Sequence, residues 1–182
     1  MILIYLADET QKEAPIRRIM DTLQLKTHFL SDAQTNVPLK VLFGDPHATG
    51  TPKALAHPIM VLHEISDEQF TAFNDAMKQQ DAYISRKAMR TIHNQNWTLE
   101  RLSREIEDEH RYFQRYDQLQ QLMAESNTLR KEDYAPDSWQ QYEQALVRLY
   151  MQLKQGQPSA AKLEHMLNEA TQAREQLRQH LR

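Results

Sequence analysis

The hydrophobic positions of this chain change their period once, near Trp97. Before that point short apolar runs alternate with stretches of helical spacing. Residues 2–6 (Ile-Leu-Ile-Tyr-Leu) have no helical period and predict a buried strand. Pro15 opens a helical pattern that puts Ile16, Ile19, Met20 and Leu23 on one face. Residues 27–30 predict a second strand, and residues 37–43 fit a strand or a short helix equally. Residues 44–58 hold three prolines and two glycines and predict a long loop. Residues 59–62 predict a third strand. Ser66 and Gln69 then form a capping-box pattern, opening a helix that turns Phe70, Phe73, Ala76 and Met77 inward. Residues 82–89 predict a fourth strand and residues 91–96 a polar loop.

From Trp97 onward the spacing stays helical. Leu99, Leu102, Ile106, Phe113, Leu119, Leu122 and Met123 mark one long helix, with a break at residues 127–134. Pro136 opens a second helix carrying Trp139, Tyr142, Leu146, Leu149, Tyr150 and Leu153, and Gly156 closes it. Leu163, Met166, Leu167, Ala170, Ala173, Leu177 and Leu181 form the last stripe. The expected fold is α/β, a βαβ-βαβ arrangement with a small, partly parallel sheet, followed by an antiparallel three-helix bundle. The expected boundary lies inside the first long helix, giving an α/β domain over 1–112 and a helical domain over 113–182.

Composition narrows the functional classes. There is no cysteine, which excludes disulfides, thiolate catalysis and cysteine zinc sites. Residues 1–96 carry 10 basic and 11 acidic side chains, and residues 97–182 carry 12 and 14. Neither half has the basic excess that phosphate neutralisation demands, so no nucleic-acid partner is expected. No apolar run approaches the length of a membrane span, and the opening residues lack a basic segment before their apolar run. The expectation is a cytoplasmic protein with no membrane partner. Three glycines, Gly44, Gly50 and Gly156, are too few and too scattered for a dinucleotide fingerprint or a phosphate-cradling loop. The sequence names no cofactor, no metal site and no oligomeric state.

Two stretches resemble known families. Met60-Val-Leu, Arg86-Lys-Ala, Thr91-x-x-Asn94-x-x-Trp97-Thr-Leu-x-x-Leu102 and Glu109-His110 are similar to a small uncharacterised bacterial α/β family, a domain of unknown function. Residues 1–30 fit that family's opening strand and helix, so the resemblance extends over about the first 110 residues. It implies a fold and no activity. Tyr134-Ala-Pro136-Asp-Ser138-Trp139, with Ala145, Leu146, Leu163, Ala170 and Leu177, resembles a three-helix module found in various architectures in Gram-positive bacteria. That resemblance implies a bundle with sugar-binding capacity.

Candidate chemistry follows from the predicted strand ends, where ligands bind in open α/β sheets. Asp8 follows the first strand, His63 and Glu64 the third, and His93 and Asn94 the fourth. Converged in one cleft, they would supply carboxylates, imidazoles and an amide for a small ligand, a divalent metal or acid–base work. Asp8 and Asn94 equally suit helix-start and turn positions. Tyr134, Trp139 and Tyr142 could make an aromatic platform for a sugar, or simply pack a core. With no catalytic motif evident, the leading expectation is an interaction or adaptor module with an unidentified protein partner. A ligand or metal-dependent enzyme or sensor, and carbohydrate binding by the bundle, are the alternatives.

Overall fold

The computed structural model describes residues 1–179. Four strands, β1 (Ile2–Tyr5), β2 (Thr27–Leu30), β3 (Ile59–Leu62) and β4 (Lys87–Met89), form one mixed sheet in the order β2-β1-β3-β4. β1 runs parallel to β2, and β3 parallel to β4. The two central strands are antiparallel, with Ile2 opposite Leu62 and Tyr5 opposite Ile59. Both central strands are buried at every residue, which is why they are apolar without alternation.

The helices cover both faces. On one, Ile2, Ile4, Met60 and Leu62 pack against α1 (Glu13–Thr22) and α3 (Asp67–Gln79) through Ile16, Ile19, Met20, Phe73 and Met77. Phe73 is fully buried, worth about 2–3 kcal/mol of apolar transfer. On the other face, Leu3, Tyr5, Ile59 and Val61 meet Leu39 and Leu42 of α2 (Leu39–Gly44) and Leu99 and Leu102 of α4 (Leu99–Glu125). The Ser66–Gln69 capping box starts α3 as its sequence dictates.

The two halves of this layer repeat one plan about an approximate two-fold axis between β1 and β3. A left-handed residue follows each central strand, Ala7 (φ 52°) and Glu64 (φ 54°). Another follows each helix, Gln24 (φ 54°) and Asp81 (φ 52°). The helix ends close alike, with Leu25 N–H donating to Met20 and Ala82 N–H to Met77. Across the axis, Lys40 N–H donates to the Gln95 carbonyl at 2.8 Å and Glu100 N–H to the Thr35 carbonyl at 3.0 Å.

One segment departs from its sequence pattern, and one ambiguity is resolved. The fourth strand is only Lys87–Met89; Ala82 and Ile84 are buried in the core without joining the sheet. An apolar alternation records burial, which an irregular segment achieves as well as a strand. The ambiguous residues 37–43 resolve into the short helix α2, whose Leu39 and Leu42 are buried three residues apart.

The chain divides into two compact units, Met1–Glu107 and Asp108–Arg182, with α4 contributing to each. In the second unit, α5 (Pro136–Lys154) and α6 (Ala160–Arg178) pack with the later turns of α4 around Leu119, Leu149, Leu163, Met166 and Ala170. Arg115 pairs with Glu164 (3.5 Å), and Arg174 with Glu125, so α4 and α6 run in the same direction. Leu149 packs with Leu163 and Met166 while Tyr142, earlier on α5, packs with Leu177, later on α6, so α5 runs antiparallel to α6, with Arg148 meeting Glu169 at 3.0 Å between them. Gly156 follows α5 with φ +126°, a conformation that side chains disfavour.

Candidate functional site

The antiparallel centre of the sheet sends the carboxyl ends of its two parallel pairs to opposite edges. The residues expected to converge are therefore divided. Asp8 lies just past β1, exposed, at the edge formed by β1 and β2. His63 and Glu64, past β3, and His93 and Asn94, past β4, lie at the other edge.

At the β3/β4 edge the half-buried His63 lies 3.7 Å from the Glu64 carboxylate and edge-to-face with Phe43 at 5.1 Å. The Arg90 guanidinium sits 5.2 Å above the same Phe43 ring. The amino group of Met1 donates to the His63 carbonyl at 2.7 Å, and burial lowers the pKa of that amine. Asn94 is occupied by its own turn. Its Oδ1 accepts from Thr91 N–H at 2.7 Å, and its amide donates to the Met89 carbonyl at 2.9 Å. His93 is exposed in that turn. Among the described residues no group of three or more His, Asp or Glu side chains is placed to hold a metal ion.

The β1/β2 edge contains a cavity of about 360 Å³, lined in part by Tyr5, Thr10, Glu13, Ser31 and Asp32. The Tyr5 hydroxyl donates to Asp32 Oδ1 at 2.6 Å and accepts from Leu55 N–H at 3.0 Å. Burial, then the hydrogen bond to the Asp32 carboxylate, raises the Tyr5 pKa above its ordinary value. Tyr5, Asp32 and Arg90 escape sequence reasoning. Tyr5 reads as one more apolar strand residue, while Asp32 is marked only by the capping box of Ser31 and Gln34 around it.

A third polar cluster surrounds Tyr83. Lys87 Nζ lies 3.8 Å and Lys78 Nζ 5.4 Å from the ring centroid, and Lys12 donates to the Tyr83 carbonyl at 2.8 Å. Burial, then the neighbouring Lys78 and Lys12, lower the Lys87 pKa to about 8.

In the second unit Tyr134, Trp139 and Tyr142 come together as a core. Tyr134 and Tyr142 are buried and Trp139 is half-buried. Trp139 stacks on Tyr134 at 5.9 Å, lies 6.0 Å from Tyr142, and packs with Leu129, Leu146, Ala173 and Leu177. Tyr134 and Tyr142 are committed to this core, while Trp139 keeps part of its surface exposed.

Apolar surface is instead exposed along α4 and α5. Phe113 is 50% exposed, Val147 52%, Tyr150 50% and Met151 58%. Two hollows run beside them. One, of about 480 Å³, is lined by residues including Met123, Ala124, Leu146, Val147 and Tyr150. The other, of about 410 Å³, is lined by Tyr112, Phe113, Tyr116, Leu153, Gly156 and Gln157. Neither hollow has a charged lining residue. No helix among the described residues is long and apolar enough to cross a membrane.

Residues 58–113 match a family described as a domain of unknown function, DUF3783. The match spans β3, α3, β4 and the first turns of α4. Comparison with curated proteins and with solved structures gives no match.

Proposed function

We propose that this protein is an intracellular protein–protein interaction module that works through the α4/α5 face of its helical bundle. The carrying observation is the exposed apolar set Phe113, Val147, Tyr150 and Met151 beside two hollows free of charged side chains. Interface centres are depleted in charge and enriched in aromatic residues and methionine, and these residues have that composition. An apolar patch of this kind, left in water, carries a continuing cost. A photo-crosslinking residue at Val147, introduced in cells, tests the reading. A discrete adduct, lost when Tyr150→Glu is added, is the expected result. No adduct above the mass of the chain itself would contradict it.

A second reading, small-ligand binding at strand carboxyl ends, is favoured by the cavity beside Tyr5 and Asp32. It lies where parallel strands of α/β sheets present ligands. A thermal-shift panel of divalent metals, nucleotides and sugar phosphates tests it. A shift abolished by Asp32→Asn supports the reading, and a flat panel opposes it.

A further inference from the structure

The exposed stripe of α5 has a symmetry in its sequence that identifies what fits it. Glu143, Val147, Tyr150 and Lys154 are spaced four, three and four residues apart. At 3.6 residues per turn they fall in one narrow line along the helix. All four are exposed. The line is acidic at its start, apolar in its middle and basic at its end. Read backwards, it offers each position its complement: lysine for glutamate, and an apolar residue for an apolar residue.

We propose that two copies of this chain pair through α5, antiparallel, about a two-fold axis passing between Val147 and Tyr150. This rests on the interaction reading above and names its partner as a second copy. Under that axis Val147 meets Tyr150 of the second copy, and Glu143 meets Lys154. The same operation repeats every contact, as a two-fold interface must.

Charge argues for this occupant. Among the described residues neither Glu143 nor Lys154 has an ion-pair partner within its own chain. Lys154 only rests its Nζ 5.3 Å above the Tyr150 ring. Antiparallel pairing supplies each with an opposite charge, twice per dimer. The nearby hollow between α4 and α5 has no charged lining residue, so it leaves these two charges without competition at the seam. Arg148, the other charged residue of this part of α5, is engaged with Glu169 of α6. A stripe of this length makes a small interface, so the expected dimer is concentration-dependent.

Charge reversal in the full chain, read by analytical ultracentrifugation across a concentration series, tests the pairing. Glu143→Lys alone sets lysine against lysine twice per dimer, and Lys154→Glu alone sets glutamate against glutamate twice. Each single variant should weaken dimerisation by about tenfold or more. Glu143→Lys with Lys154→Glu restores both pairs and should return the dissociation constant to within about threefold of the unmodified chain. All four proteins should melt alike, since both residues are on the surface. A chain that stays monomeric up to roughly 0.5 mM, past the range of weak specific complexes, overturns the proposal. So does a dimer indifferent to the single reversals, or one that the double reversal fails to restore. A monomeric chain that still gives a Val147 crosslink to another protein would sink the pairing and leave the interaction reading standing.

Discussion

Ile2, at the start of β1, stands opposite Leu62, at the end of β3. That antiparallel pairing separates Asp8 from His63 by at least the length of a strand and puts the carboxyl ends of the two parallel pairs at opposite edges. Strands alternating with helices suggest a sheet whose carboxyl ends share one edge. Here the two βαβ halves meet back to back, and each keeps its own edge.

Asp8 and His63 should therefore behave as independent sites. Asp8→Ala and His63→Ala, alone and combined, should show additive effects on denaturant unfolding, with a coupling below about 0.5 kcal/mol. A larger coupling would place the two side chains in one cluster, against the strand pairing.

The Tyr5 hydroxyl joins Asp32 to the loop amide of Leu55. Tyr5→Phe leaves that carboxylate and that amide without their shared partner and should cost about 1.5–3 kcal/mol. The pH dependence has a definite sign. The folded-state pKa values of Tyr5 and Tyr142 are raised, Tyr142 chiefly by burial. The folded protein keeps these protons where the unfolded chain has lost them. Their contribution is complete below pH 10 and falls as pH rises through the folded values. Unfolding free energy measured above pH 10 should fall less steeply in Tyr5→Phe than in the unmodified protein.

Lys87 should titrate early. With its pKa near 8, the ε-methylene resonances of Lys87 should move with a midpoint about 8 in an NMR titration. A midpoint above about 10, the range of free lysine, would remove the effect of burial and of Lys78 and Lys12. The folded pKa is depressed, so the unfolded chain binds more protons between about 8 and 10.5, and Lys87 makes stability rise with pH across that window.

Gly156 holds φ +126° with open space where a Cβ would stand. Gly156→Ala should thus destabilise through the backbone alone, by about 1 kcal/mol or more, measured as a lowered midpoint in chemical denaturation. No loss would mean that the α5–α6 connection relaxes freely.

Much of this fold is legible in the sequence. Burial on both faces makes residues 2–5 and 59–62 uniformly apolar, and Ser66 with Gln69, Pro136 and Gly156 mark helix ends by their own chemistry. The candidate site was less legible, because no local pattern encodes whether two βαβ halves join in parallel or antiparallel. His63 and Glu64 read from the sequence as strand-end residues, yet their distance from Asp8 depends on that one long-range choice. Tyr134, Trp139 and Tyr142 show a similar limit. Aromatic spacing predicts that they approach each other, but only the packing around Leu177 decides how much of their faces stays open.

The central claim is that the α4/α5 face is the working surface of the protein and that a second copy of the chain is what it meets. A methyl NMR dilution series tests it most directly. As concentration rises, the Val147 and Met151 methyl signals should shift or broaden, while those of the sheet residues Met60 and Leu62 stay fixed. Val147 and Met151 signals that ignore concentration, or equal movement in the sheet, would contradict the account.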